Sequence, residues 1–122
     1  MRPYRGLTKD GNWVYGWYYH NHYVNEHKIF VCKDHSTFDV FDVIPETVGQ
    51  QVGLKDKNGK EIYKGDIIQS GKRLVIDWDT YNACWGTYNK KNEREFGLGS
   101  WSLDRFEIIG NIHQNPELME KK

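Results

Sequence analysis

Apolar residues in this chain alternate with polar ones in short runs, and long stretches with helical spacing are missing. Turn signals return roughly every ten residues. That pattern predicts a mainly β chain of short strands. Residues 3–7 (PYRGL) form a first strand, and Lys9-Asp10-Gly11-Asn12 a tight turn, because Asp-Gly supplies the positive φ a hairpin needs. In residues 13–19, Trp13, Tyr15, Trp17 and Tyr19 point one way and Val14, Gly16 and Tyr18 the other. Both sets contain large side chains, so this strand is expected to be covered, at least in part, on both faces. Residues 20–27 (HNHYVNEH) are polar and read as a loop. Residues 28–32 and 37–43 read as two further strands, and Ile44-Pro45-Glu46-Thr47 ends that pairing, since proline cannot donate to a ladder.

The stretch GLKDKNGKEIYKGDII, residues 53–68, reads as two corners in succession. Asn58-Gly59 makes a hairpin turn within Asp56–Lys60. Lys64-Gly65-Asp66 bends the chain again, and Ile67-Ile68 opens a buried strand. Asn58, Gly59, Gly65 and Asp66 are therefore structural turn residues. Ser70-Gly71 turns the chain once more, and Leu74, Ile76 and Trp78 then alternate cleanly. Residues 83–88 and 96–101 read as strands flanking a charged tip, Asn89–Glu95, and Phe106–Gly110 as the last strand. Asn115-Pro116-Glu117 has the form of a helix start, with Asn as N-cap and Pro in the first turn. Few residues follow, so that helix is short. The turn chemistry of Gly6–Gly11 echoes that of Gly53–Gly59, which local turn preferences account for.

With 122 residues the chain fits one domain with room for two lobes: an N-terminal lobe at 1–50, a second at 51–115 and a short helix or tail at 116–122. Lys plus Arg equals Asp plus Glu at 17 each, so net charge gives no drive toward nucleic acid. Cys32 and Cys84 form no CxxC pair, and Cys32 reads as a small core residue in an apolar strand. No apolar run reaches the length of a membrane helix and no signal-like segment opens the chain. The expectation is a cytoplasmic protein with reduced thiols and no membrane contact.

The motifs that carry chemistry mostly fail. A Walker A loop requires Gly, four residues, then Gly-Lys-Ser/Thr, but Gly53 and Gly59 are separated by five residues and Lys60 is followed by Glu61. Calcium-loop spacing fails from both Asp56 and Asp77. His20 and His22 share a strand face if that segment is a strand, with His27, Cys32 and His35 following, yet the paired-cysteine spacing of structural zinc sites is absent. A histidine-rich wet loop is the simpler reading. No nucleophile elbow occurs, and Asp39, Asp42, Asp77 and Asp79 read as solvated strand edges. No catalysis, cofactor or metal is predicted. Nucleic-acid binding is the serious functional alternative, because small barrels stack bases on exposed aromatics beside lysines. Aromatic residues make up 15% of the chain. The binding candidates are Lys55, Lys57, Lys60 and Lys64 with Trp78 and Trp85. Against that, such rings ordinarily fill the core and lysines keep edge strands soluble.

Three segments also resemble a known family. The run VIPETVGQQVGLKDKNGKEIYKGDII at 43–68 looks like the signature block of the YopX protein family of phages and prophages. Trp13-Val14-Tyr15-Gly16-Trp17-Tyr18 resembles its N-terminal strand, and Ile108–Leu118 (IIGNIHQNPEL) its closing segment. The chain departs at Gln51-Val52, where an aromatic-Thr pair is common, and at Lys64, where an acidic residue is usual. The resemblance implies a mainly β fold and a phage or prophage accessory protein in a bacterial cell, and it brings no catalytic residues. The expected architecture is a hairpin-rich N-terminal β lobe followed by an SH3-like small barrel. The expected function is a non-catalytic protein-interaction module for a host or phage protein or for itself, with nucleic-acid binding as the alternative. Neutral charge, many aromatics and β edges favour a homo-oligomer, most simply a C2 dimer. Exposed Trp clustered with Lys would favour nucleic acid; an apolar patch larger than roughly several hundred Å² and without lysines would favour a protein.

Overall fold

The computed structural model describes residues 2–97 and 105–120. The chain forms two compact units, Met1–Gln51 and Val52–Lys122. The regular structure of the described residues is almost entirely antiparallel β. No helix among them is long and apolar enough to cross a membrane.

Unit one contains β1 (Tyr4–Leu7), β2 (Trp13–Asn21), β3 (Glu26–Cys32), β4 (Phe38–Asp42) and the start of β5 (Gly49–Lys55), in the order β4-β3-β2-β1-β5. Its buried apolar side chains include Leu7, Ile29 and Val43. A 3-10 turn at Pro45–Thr47 leads into β5, and Thr47 Oγ1 accepts from Leu7 N at 2.9 Å. Segment 20–27, expected as a loop, is instead the closed end of the β2–β3 hairpin, with His20 opposite His27 and Asn21 opposite Glu26. A ladder needs only backbone groups, so polar, water-facing side chains can form it without apolar alternation. The opening of β5, which carries no strand signal in Gly49-Gln50-Gln51, is extended because Gln50 and Gly49 pair with Tyr4 and Arg5. Pairing with a neighbour overrides weak local propensity.

Unit two contains the end of β5 and β6 (Glu61–Tyr63), then the sheet β10-β9-β8-β7-β11. Those strands are β7 (Asp66–Ser70), β8 (Lys72–Asp79), β9 (Cys84–Tyr88), β10 (Arg94–Gly97) and β11 (Glu107–Asn111). Val52, Ile62, Ile68, Leu74 and Ile76 form the core, and Trp85, Phe96, Phe106 and Ile108 pack against it. The strand expected at 96–101 is β10, which begins two residues earlier; residues 98–101 lie outside the described residues. The C-terminal helix is a single 3-10 turn, Pro116–Met119. Asn115 does not cap it: its Oδ1 accepts from Asn111 N at 3.2 Å.

One turn geometry recurs. Thr8 N reaches Asn12 O and Gly11 N reaches Thr8 O, Asp56 and Gly59 repeat this with Lys60, and Asn89 and Asn92 with Glu93. The residue in the left-handed position is Gly11 (φ 82), Gly59 (φ 79) or Asn92 (φ 60). A type I turn followed by a left-handed residue closes such hairpins. Open space surrounds Gly59, so the backbone angle alone constrains it. Gly59→Val is expected to cost about 1–2 kcal/mol. An unchanged melting temperature would contradict this.

Candidate interaction surface

Register fixes which side chains share a face. Trp17 stands opposite Phe30 and Phe30 opposite Val40; Tyr19 stands opposite Lys28 and Lys28 opposite Asp42; Cys32 stands opposite Phe38. Directly opposed residues of antiparallel strands point to the same side. One face of β2–β3–β4 therefore carries Tyr15, Trp17, Tyr19, Phe30, Phe38 and Val40. It is open: Tyr15 is 47%, Trp17 42%, Tyr19 51%, Phe38 56% and Val40 48% exposed. Phe30 ties the rings together edge-on, 6.5 Å from Tyr19 and 6.3 Å from Phe38. β2 is thus covered only in part on this face, within the expectation of at least partial cover on both. Toward β1 the same face closes, where Arg5 lies buried with its guanidinium 4.2 Å over the Trp13 ring.

The charges bordering the open face are matched. Lys28 Nζ lies 2.7 Å from Asp42 Oδ1 and 3.7 Å from Glu26 Oε2. The Asp42 hydrogen bond raises the Lys28 ammonium pKa, and the Lys28 hydrogen bond lowers that of the Asp42 carboxyl. Asp39, opposite Val31 and so on the other face, pairs with Lys33 at 3.5 Å. Cys32 is not a core residue. It falls on the open side with Phe30, is exposed, and its thiol donates to Asp34 O. Strand alternation sends Ile29 inward and Cys32 outward. Both Cys32 and Cys84 are free thiols.

On the opposite face the histidine-rich segment continues a row of rings. Tyr4 and Tyr18 centroids lie 5.7 Å apart, Tyr18 and His27 5.9 Å, His27 and His20 3.9 Å, and His20 and His22 4.1 Å. Tyr18 hydroxyl meets His27 Nδ1, and Asn25 Oδ1 lies within hydrogen-bonding distance of both His20 Nε2 and His27 Nε2. Burial, then the neighbouring Tyr4, pushes the Tyr18 phenol pKa up. Among the described residues no group of three or more His, Cys, Asp or Glu side chains is placed to hold a metal ion.

In unit two, Trp78 and Trp85 face each other across β8 and β9, edge-to-face at 5.1 Å. Trp78 is 40% exposed, and Trp85 packs on the core. Lys55, Lys57 and Lys60 lie on the exposed β5–β6 hairpin, where Lys55 pairs with Glu61 at 3.8 Å. Lys64 lies on the next bend, 3.9 Å from Asp77. Asp77 and Trp78 alternate along β8, so Lys64 meets the side of the strand away from Trp78. Asn58 donates its amide to Glu107 Oε2 at 3.3 Å. Asp66, 2% exposed, accepts from Tyr63 N at 2.8 Å. Asp79 departs from the solvated-edge reading. It is buried, accepts from Tyr81 N, Asn82 N and Asn82 Nδ2, and meets Arg94 Nε at 2.6 Å. The Asn82 hydrogen bonds lead in lowering its pKa. Tyr15, Tyr19, Phe38 and Val40, absent from the sequence-based site, are the main additions. Their signal was the alternation of residues 13–19 and of 38–42.

Residues 3–120 match the family model described as YopX protein. This chain belongs to the YopX family. Within the family fold, the closing IIGNIHQNPEL segment supplies β11 and the Asn111–Asn115 turn, and the VIPET run the 3-10 turn before β5. Protein EF1440 from Enterococcus faecalis, known as a crystal structure, is similar over 98% of this chain and 99% of its own, with a TM-score of 0.61 and 22% identity. That likeness shows the fold. No curated protein matches this YopX-family chain.

Proposed function

We propose that this chain is a phage or prophage accessory protein acting in the bacterial cytoplasm as a non-catalytic protein-interaction module, with the open β2–β3–β4 face as its contact surface and a second copy of the chain as its first partner. The observation that carries this is the contiguous row Trp17–Phe30–Val40 flanked by exposed Tyr15, Tyr19 and Phe38. Exposed aromatic anchors of this kind dominate protein contacts once buried. Matched charges on this face (Lys28 with Asp42 and Glu26) suit a twofold contact, in which each positive group meets its negative counterpart on the other copy. Unit two supplies the SH3-like part of the molecule in this reading.

Nucleic acid is the weaker alternative. Two of its four candidate lysines already face carboxylates, and Lys64 does not share a side of β8 with Trp78. Sedimentation at about 10–50 μM is expected to show a dimer, and monomer alone would contradict the proposal. Fluorescence anisotropy with short single- and double-stranded oligonucleotides is the parallel measurement. The protein reading expects no binding, whereas binding whose log–log salt slope is near about −3 would transfer the function to nucleic acid.

A further inference from the structure

A cleft of about 410 Å³ in unit two is independent of the open face. It is bordered by the Lys64-Gly65 bend, β8, the turn after β9 and the segment after β11. Small-molecule sites occupy roughly 300–1,000 Å³. Its apolar lining comes from Val75, Ile112, Pro116 and Met119. Lys64, Lys90 and His113 also line it, with Asp77 as the one carboxylate among the lining residues.

Two of these basic groups stand on turns built by asparagine side chains. Asn89 Oδ1 accepts from Lys91 N at 2.9 Å and Glu93 N at 3.0 Å, which fixes the turn bearing Lys90. Asn111, 7% exposed, accepts at Oδ1 from His113 N at 3.1 Å and Gln114 N at 2.9 Å. The His113 ring rests against bare backbone, because a Cβ on Gly65 would stand 3.0 Å from His113 Nε2. Gly65 also has φ 92, an angle that favours glycine. Lys64 lies 3.9 Å from Asp77, a loose pair that an incoming anion can share. A lining that combines aliphatic side chains with three basic groups and one carboxylate is complementary to an amphipathic anion.

We infer that this cleft binds a carboxylate carried on a compact aliphatic body. A peptide chain end with an apolar last residue and a free medium-chain fatty acid share that chemistry. The apolar lining takes the aliphatic part, while Lys64, Lys90 and His113 surround the carboxylate. A single carboxylate in the lining leaves the site with a cationic excess, which selects against a neutral amide of the same shape.

The test is a titration of uniformly ¹⁵N-labelled full-length protein, followed by amide chemical shifts, with N-acetyl-leucine, octanoate and the neutral N-acetyl-leucinamide. A carboxylate probe is expected to move the Gly65, Ile112 and His113 amides saturably with a midpoint of about 1 mM, and N-acetyl-leucinamide at least about tenfold more weakly. A lower midpoint for N-acetyl-leucine supports a chain end, and a lower midpoint for octanoate supports a fatty carboxylate. Lys64→Gln with Lys90→Gln is expected to raise the carboxylate midpoint about tenfold or more while leaving the remaining amide spectrum in place. The proposal is overturned if neither carboxylate gives a saturable shift by about 10 mM, if the neutral amide binds equally well, or if the double variant keeps the wild-type midpoint.

Discussion

Gly16→Ala is expected to destabilise the protein by on the order of 3 kcal/mol or more, although it adds one methyl group. Gly16 lies in β2 opposite Tyr4, where strands stand on both sides. A Cβ there would stand 2.1 Å from the Phe30 carbonyl oxygen and 2.9 Å from its carbon. The obstacle is backbone, which cannot swing aside as a side-chain tip can. Relief requires β2 and β3 to move apart, and that loosens the ladder holding Trp17 beside Phe30. Thermal unfolding followed by circular dichroism should show a fall of roughly 10 °C or more. A melting temperature within about a degree of wild type would contradict this packing.

Asp56→Ala is expected to cost about 3 kcal/mol. The carboxylate is 5% exposed. Its Oδ1 accepts from Asn58 N and Lys60 N at 2.9 Å each, and its Oδ2 from Ile108 N at 3.0 Å. One side chain thus closes the Asn58-Gly59 corner and ties it to β11. Burial works to raise its pKa, but the backbone hydrogen bonds from Ile108, Lys60 and Asn58, helped by the Lys60 charge, outweigh burial and hold it below the ordinary carboxylate range. The folded state therefore holds this proton less tightly than the unfolded chain, whose Asp pKa is about 3.9. The resulting stabilisation is fully present above that value and is lost as pH falls through the lower folded pKa. Asp42, Asp79 and Glu95 are shifted the same way. The Asp56 share is isolated by comparing urea midpoints of wild type and Asp56→Asn. The gap between them should be wide at neutral pH and narrow toward about pH 3. A gap independent of pH would contradict an ionised Asp56 in the fold.

The turns were the most legible part of this sequence. Asp10-Gly11 and Asn58-Gly59 announce left-handed residues with no reference to the rest of the chain, and both form. Leu74 and Ile76 were equally plain, because period-two alternation on a half-buried strand records which side is dry. What depends on a distant partner was not legible. Gly49-Gln50 becomes strand only beside Tyr4 and Arg5. Asp56 reads as a turn residue, while its bond to Ile108 spans 52 positions. The 20–27 segment looked like a loop because polarity marks exposure, and an exposed hairpin end is polar too.

The open face was half visible. Alternation in residues 13–19 separates Tyr15, Trp17 and Tyr19 from Val14 and Tyr18, but large residues on both sides hid which side faces water. Register with Phe30, Phe38 and Val40 settles it, and register is a property of paired strands. Cys32 reads as buried in the sequence and is exposed for the same reason: apolar neighbours in sequence do not say which way a strand residue points.

The most direct test of the interaction surface is sedimentation equilibrium of wild type beside Trp17→Gln/Tyr19→Gln. Both rings are about half exposed and sit on the open face, so their replacement should leave the melting temperature within about 2 °C of wild type. Wild type is predicted to be dimeric at about 10–50 μM and the double variant monomeric at the same concentration. A wild-type monomer throughout that range, or a variant that dimerises as tightly as wild type, would contradict the assignment of the β2–β3–β4 face as the contact surface.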